Sequence, residues 1–169
     1  MATNLEFIKS ASATGGVTSL SVTDCFSDTY DVYMISITTT NLNNTTHLYM
    51  RLLDSSNTEI SANEYDNANL QMHSASAFSE QKNTNDTEFQ YMGSYAGSEG
   101  LGLTIYVFNP FDSSSYTFVQ RQSVSYGTNM VGYKSIGMHK SAEQCKGVLF
   151  TEKVTNSLND IKVNVYGVK

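Results

Sequence analysis

From Tyr30 onward the chain alternates apolar and polar residues, and no stretch carries the three-to-four-residue apolar spacing of an amphipathic helix. Successive side chains of a strand point to opposite faces, so a period of two marks sheets with one face buried and the other wet. That pattern is the mark of antiparallel β structure. Tyr30 to Thr38 is the clearest case, with Tyr33, Ile35 and Ile37 sharing one face. His47 to Leu53 repeats it, setting Leu48, Met50 and Leu52 against His47, Tyr49 and Arg51. Leu101, Leu103, Ile105 and Val107 form a third apolar row, ended by Pro110, which has no N–H to give a ladder. In the closing strand Ile161, Val163 and Val165 face inward while Lys162, Asn164 and Tyr166 face outward.

The weaker segments complete an all-β reading. Leu5 to Ser12 reads as a first strand, broken at Gly15 and Gly16, and Val17, Leu20 and Val22 lead to a second short one. Cys25 and Phe26 sit in a loop that carries them inward. Glu64 to Met72 reads as a short edge strand, Glu88 to Tyr95 as a strand, and Tyr116 to Tyr126 with Met130 to Met138 as a hairpin about Gly127. Gly97 punctuates the chain before the third apolar row, Val148 to Lys153 adds a strand, and His139 to Lys146 has room for one helical turn. Gln71 to Thr87 holds Phe78 as its one large apolar side chain after Met72 and reads as a long polar loop. The expected architecture is an antiparallel β-sandwich of jelly-roll type, about eight to ten strands in a single domain over residues 1–169.

Composition narrows the partners. Ten Lys and Arg against 16 Asp and Glu leave a formal charge of −6, a field that repels a phosphate backbone, and the lysines form no basic run. Nucleic acid is therefore not an expected partner. The surface is neutral instead: 22 Ser, 18 Thr and 15 Asn make up about a third of 169 residues. Such a surface suits packing against copies of the chain, because few charges need desolvation. The first residues, MATNLEFIKS, lack the apolar core of a signal peptide, and no run of apolar residues spans a membrane, so folding in a cytoplasm is expected without membrane insertion. Cys25 and Cys145 belong to no CxxC pair and read as buried reduced thiols.

Catalytic patterns are missing. No G-x-S-x-G elbow occurs, and His47, His73 and His139 show neither a nucleophile pattern nor HxH or HExxH metal spacing. Asp54, Ser56 and Thr58 imitate the start of a calcium loop, but Glu59 and Tyr65 occupy its glycine and terminal carboxylate positions, leaving a polar turn. Glu59, Glu64 and Asp66 are the acids available for a glycosidase pair, without an apolar setting to raise a pKa. Tyr49, Tyr91, Tyr95, Tyr106 and Tyr133 fit either sheet packing or stacking on sugars. The expectation is a non-enzyme without catalytic residues, cofactor or metal.

FSDTYDVYMISI, HLYMRLLDSSN, NEYDNANL, GLTIYVFNP and IKVNVYGVK follow one another in that order. Together they resemble a β-rich family of tailed-bacteriophage virion proteins, of the kind that accompany cyanophages. The resemblance implies a jelly-roll module of capsid, collar or tail, located on the virion after assembly in the host cytoplasm. It further implies a structural or accessory protein that binds other virion proteins and itself, a trimer being the expected homo-oligomer. The sandwich pattern begins within the first ten residues and runs to Lys169 without a shaft, which suits a particle-surface accessory protein. The alternative is a phage adhesin that binds host-surface glycan. Its contact candidates are Tyr65, Asn67, Asn69, His73 and Phe78, next to or within the polar stretch Met72 to Thr87. A third reading is a polysaccharide-cleaving enzyme using acids of that region.

Overall fold

The computed structural model of the chain describes residues 4–42, 46–95, 100–152 and 158–169. The turn expected at Gly97 and the strand end at Lys153 lie outside them. Among the described residues there is no helix, and the expected eight to ten strands become twelve. They are β1 (Leu5–Ala13), β2 (Ser19–Val22), β3 (Val32–Leu42), β4 (Thr46–Leu53), β5 (Tyr65–His73) and β6 (Ser79–Asp86). The second half supplies β7 (Phe89–Tyr95), β8 (Leu101–Phe108), β9 (Thr117–Tyr126), β10 (Met130–His139), β11 (Gly147–Glu152) and β12 (Leu158–Val168).

An eight-stranded sheet runs in the order β1-β12-β3-β8-β9-β10-β5-β6, and a four-stranded sheet in the order β2-β11-β4-β7. Every strand pair among the described residues is antiparallel. The chain crosses from one sheet to the other at most connections, except through the β5–β6 hairpin and the β8–β9–β10 meander. Tyr33, Ile35 and Ile37 of β3, Leu103, Ile105 and Val107 of β8, and Ile161, Val163 and Val165 of β12 form the large sheet's contribution to the core. Leu48, Met50 and Leu52 of β4 with Val148 and Phe150 of β11 meet them from the small sheet. The strands read from alternation are thus the strands that close the sandwich.

Three expectations need correction. The polar stretch Gln71 to Thr87 is not one long loop, because Ser79–Asp86 pairs with β5 from Asn67↔Asn83 to Gln71↔Ser79. Its sequence SEQKNTND has no apolar row because it is the edge strand of the large sheet, and a polar edge resists pairing with other chains. Consequently β5 is an inner strand between β10 and β6 rather than an edge. The stretch after His139 forms no helical turn and runs irregularly to β11.

The inner face changes character from one side of the large sheet to the other. Under β12, β3 and β8 it is apolar, whereas β9 turns Thr117, Arg121, Ser123 and Ser125 inward with only Val119 for company. Asn67 and Asn69 of β5 and Ser135 and His139 of β10 are buried beside them. Gly137 lets the sheets approach closely here, since a Cβ at that position would lie 2.8 Å from the Phe89 ring of β7.

Candidate functional site

The outer face of the large sheet is where polar and apolar chemistry are exposed together. Strand register places Asn164, Ser36, Thr104, Gln122 and Lys134 side by side across β12, β3, β8, β9 and β10. Two residues along the same strands, Tyr166, Met34, Tyr106, Gln120 and Ile136 make a second row. A third row brings Phe108, Phe118, Met138 and Asp66 together on β8, β9, β10 and β5. Hydroxyls and amides therefore run beside a stripe of rings and aliphatic side chains. Phe118 is 43% exposed and Ile136 is 65% exposed, large values for side chains that the usual one-face-in pattern would bury.

This face is hollowed rather than flat. A cavity of about 570 Å³ lies over Ser36, Thr104, Tyr106, Gln122 and Lys134. A second of about 640 Å³ lies over Asp66, Lys82, Phe108, Phe118 and Met138, and the two share Gln120. A third of about 380 Å³ continues toward Glu80 of β6, sharing Lys82 and Ile136 with the second and Lys134 with the first. The trough so formed crosses the sheet from β3 to β6, five strand spacings of ~4.8 Å or roughly 24 Å. Asp66 and Glu80 are the carboxylates among its lining residues. Asp66 is held below the usual carboxylate range, first by its hydrogen bond from Lys140, whose ammonium lies 2.8 Å away.

The residues singled out from sequence are dispersed. Tyr65 is fully buried and its hydroxyl is consumed, donating to Ile60 O at 2.9 Å and accepting from Leu52 N at 3.2 Å. Asn67 and Asn69 also face the interior, where Asn69 Nδ2 donates to Asn67 Oδ1 at 3.1 Å. All three are buried, although Asn67 also borders the second cavity and Asn69 the third. His73 is half-buried at the end of β5, its Nδ1 accepting from Ala75 N at 3.2 Å, and Phe78 is 64% exposed just before β6. Of the tyrosines, Tyr49 and Tyr133 are buried, Tyr91 stacks edge-on against His47 at 4.6 Å, and Tyr106 faces the trough. The Tyr95 side chain lies outside the described residues.

The remaining sequence candidates have ordinary structural work. Asp54 Oδ1 accepts from Ser56 N at 2.7 Å and Thr58 N at 2.9 Å, so the calcium-like run closes its own turn. Glu59 pairs with Arg51 at 2.7 Å. Cys25 and Cys145 are free, buried thiols, both pushed up to about 12 by burial. What sequence reading did not bring together is Glu64, His139 and Glu143, whose ligand-type atoms lie within 4.8 Å of one another. His139 and Glu143 are four apart, but Glu64 is 75 residues away from the histidine, so no local spacing announces the group.

No family model matches the chain, and no curated protein matches it in sequence. Among solved structures it is similar to an exo-inulinase from Aspergillus awamori, with TM-score 0.47 and 9% identity, over 98% of this chain and 29% of that one. A marine PL-14 alginate lyase from Aplysia kurodai is similar at TM-score 0.40 and 9% identity, covering 95% of this chain and 81% of the lyase. The enzymatically active domain of tailspike protein 2 from bacteriophage CBA120 follows at TM-score 0.31 and 9% identity, covering 98% and 29%. The chain thus spans about three-tenths of the inulinase. Likenesses this distant do not bear on activity.

Proposed function

We propose that this chain is a non-catalytic glycan-binding module, presenting the outer trough of its large sheet to a saccharide chain at a phage particle surface. The observation that carries it is the pairing of the hydroxyl-and-amide row with the aromatic and aliphatic row in one groove. A pyranose has an apolar C–H face and a rim of hydroxyls, so rings beneath and amides alongside match both. Thr104, Gln120 and Gln122 supply donors and acceptors, and Tyr106 and Phe118 supply the platform. Hydrolysis would need a carboxyl group tuned to remain protonated, and Asp66 is shifted the opposite way. Placement on a virion rests on the family resemblance of the strand motifs.

The test is a glycan array probed with the purified chain, followed by titration of any oligosaccharide it retains. Tyr106→Ala combined with Gln120→Ala should weaken binding at least ~10-fold, a loss of ~1.4 kcal/mol, with the melting temperature unchanged. A blank array, or binding indifferent to these changes, overturns the proposal. Self-association through the same face is the second reading, favoured by Val124, Tyr126, Met130 and Ile136, each more than half exposed at and near the β9–β10 turn. A blank array together with an oligomer in sedimentation velocity that Val124→Lys and Ile136→Lys dissociate would establish that structural role instead.

A further inference from the structure

The connection between β4 and β5 and the connection between β10 and β11 meet at one end of the sandwich, and three metal-ligand side chains converge there. His139 Nε2 lies 3.2 Å from Glu64 Oε2 and 3.7 Å from Glu143 Oε1. Two atoms bound to one tetrahedral zinc at ~2.0–2.2 Å stand about 3.4 Å apart, so these separations bracket the spacing an ion imposes. The carboxylates, each about a third exposed, need only small rotations to complete it, while the imidazole is fully buried.

The frame around the group is rigid where a ligand set needs it to be. His139 stands in register with Tyr65 on β5 and Thr117 on β9, and the Tyr65 ring lies against the imidazole at 4.8 Å. Lys140 N donates to Glu64 O at 2.8 Å, which fastens the Glu64 backbone beside the histidine. In the metal-free chain Nε2–H donates to the Glu64 carboxylate, and a bound ion would take the place of that proton, leaving Nδ1, buried on the far side of the ring, as the nitrogen that carries it.

Charge is out of balance at this point. Two carboxylates converge on a single imidazole. Lys140 leaves them alone, sending its ammonium to Asp66 and to Asn85 Oδ1. Among the described residues no lysine or arginine pairs with Glu64 or Glu143. A dication is the species that satisfies both anions and the nitrogen together.

We propose that Glu64, His139 and Glu143 form a binding site for a borderline divalent transition ion such as Zn²⁺, which staples the β10–β11 connection to the start of β5. Nitrogen in the set selects against Mg²⁺ and Ca²⁺, which seek six or more oxygens. The site is independent of the glycan trough.

The test uses the full chain freed of metal with a chelator, then titrated with Zn²⁺ or Mg²⁺ by calorimetry and thermal melting. One Zn²⁺ per chain should bind and raise the melting temperature, and Mg²⁺ should not. Glu64→Gln and Glu143→Gln alter partly exposed side chains and should leave the metal-free protein folded, while each weakens Zn²⁺ at least ~10-fold, the lower end of what even outer-shell changes cost. Asp28→Asn, a solvent-exposed carboxylate outside the group, should change nothing. Failure of Zn²⁺ to bind, equal stabilisation by Mg²⁺, or undiminished Zn²⁺ affinity in both glutamine variants would each overturn the proposal.

Discussion

Arg121 places a guanidinium inside the sandwich with no carboxylate among the described residues to meet it, and the way its charge is held can be measured. The residue is 2% exposed, and burial alone pushes it down to about 9. Its Nη2 donates to Asn69 Oδ1 and to Gln90 O, its Nη1 points at Met92 Sδ at 2.7 Å, and Nε has no partner. Arg121→Met has opposing parts: it removes a buried ion whose desolvation costs several kcal/mol, and it strands two acceptors at ~1–3 kcal/mol each. Coupling separates these. A hydrogen bond to a charged group contributes ~1.5–3 kcal/mol, so Asn69→Leu should cost that much less once Arg121 is already methionine. Other losses, such as the Asn69–Asn67 bond, occur in both backgrounds and cancel. Urea unfolding of the four proteins in the cycle gives the coupling, which at this chain length corresponds to roughly 2–4 °C per kcal/mol in thermal melts. Costs of Asn69→Leu that agree within ~0.5 kcal/mol in the two backgrounds would show that the guanidinium does not depend on Asn69.

Three further outcomes follow from particular contacts. Gly137→Ala should destabilise by about 1–3 kcal/mol, because its Cβ would enter the Phe89 ring, and Phe89→Leu should recover part of the loss in the same melt. Replacing Ala75–Asn83 by two glycines should lower stability to urea, since five β5–β6 pairs disappear; at ~0.5–1.5 kcal/mol per ladder bond the gross loss is roughly 2.5–7.5 kcal/mol, and an unchanged midpoint would return the segment to a loop. Asp66 has its folded pKa depressed by Lys140, so its contribution is present above the unfolded value of 3.8 and fades as pH falls through the lower folded value. Lys140→Gln should therefore flatten the acid limb of a melting-temperature profile, and an identical profile would show that the pair is screened.

Alternation located β3, β4, β8 and β12 because each carries a run of three or more apolar residues on its inner face, and a period of two is then visible in composition alone. β6 stayed hidden because an edge strand with both faces polar has no such contrast. β9 is the instructive case. Its sequence TFVQRQSVSY alternates, but Phe118, Val124 and Tyr126 face outward while Thr117, Arg121 and Ser123 face inward, so hydrophobicity read alone assigns the wrong side to water. Asn67 and Asn69 belong to the same inversion: they looked like surface amides and serve as acceptor and relay in the buried network around Arg121. The group of Glu64, His139 and Glu143 was beyond local reading because Glu64 lies 75 residues from His139 and comes to it through the β5–β10 pairing, although Glu143 is only four residues on.

The inversion on β9 also explains why the trough lies where it does. Polar residues turned inward must find partners there, and β9 finds them in Asn69, Gln90 O and the backbone of β10, as when Ser125 Oγ donates to Val131 O at 3.3 Å. The same register turns rings and aliphatic side chains outward between the amides Gln120 and Gln122, although burying them would contribute ~1.5–3 kcal/mol each. A chain optimised for stability alone would exchange the two faces. A buried cation beneath and apolar side chains above is a costly arrangement for stability, and the glycan role proposed for the outer surface of β9 would account for it.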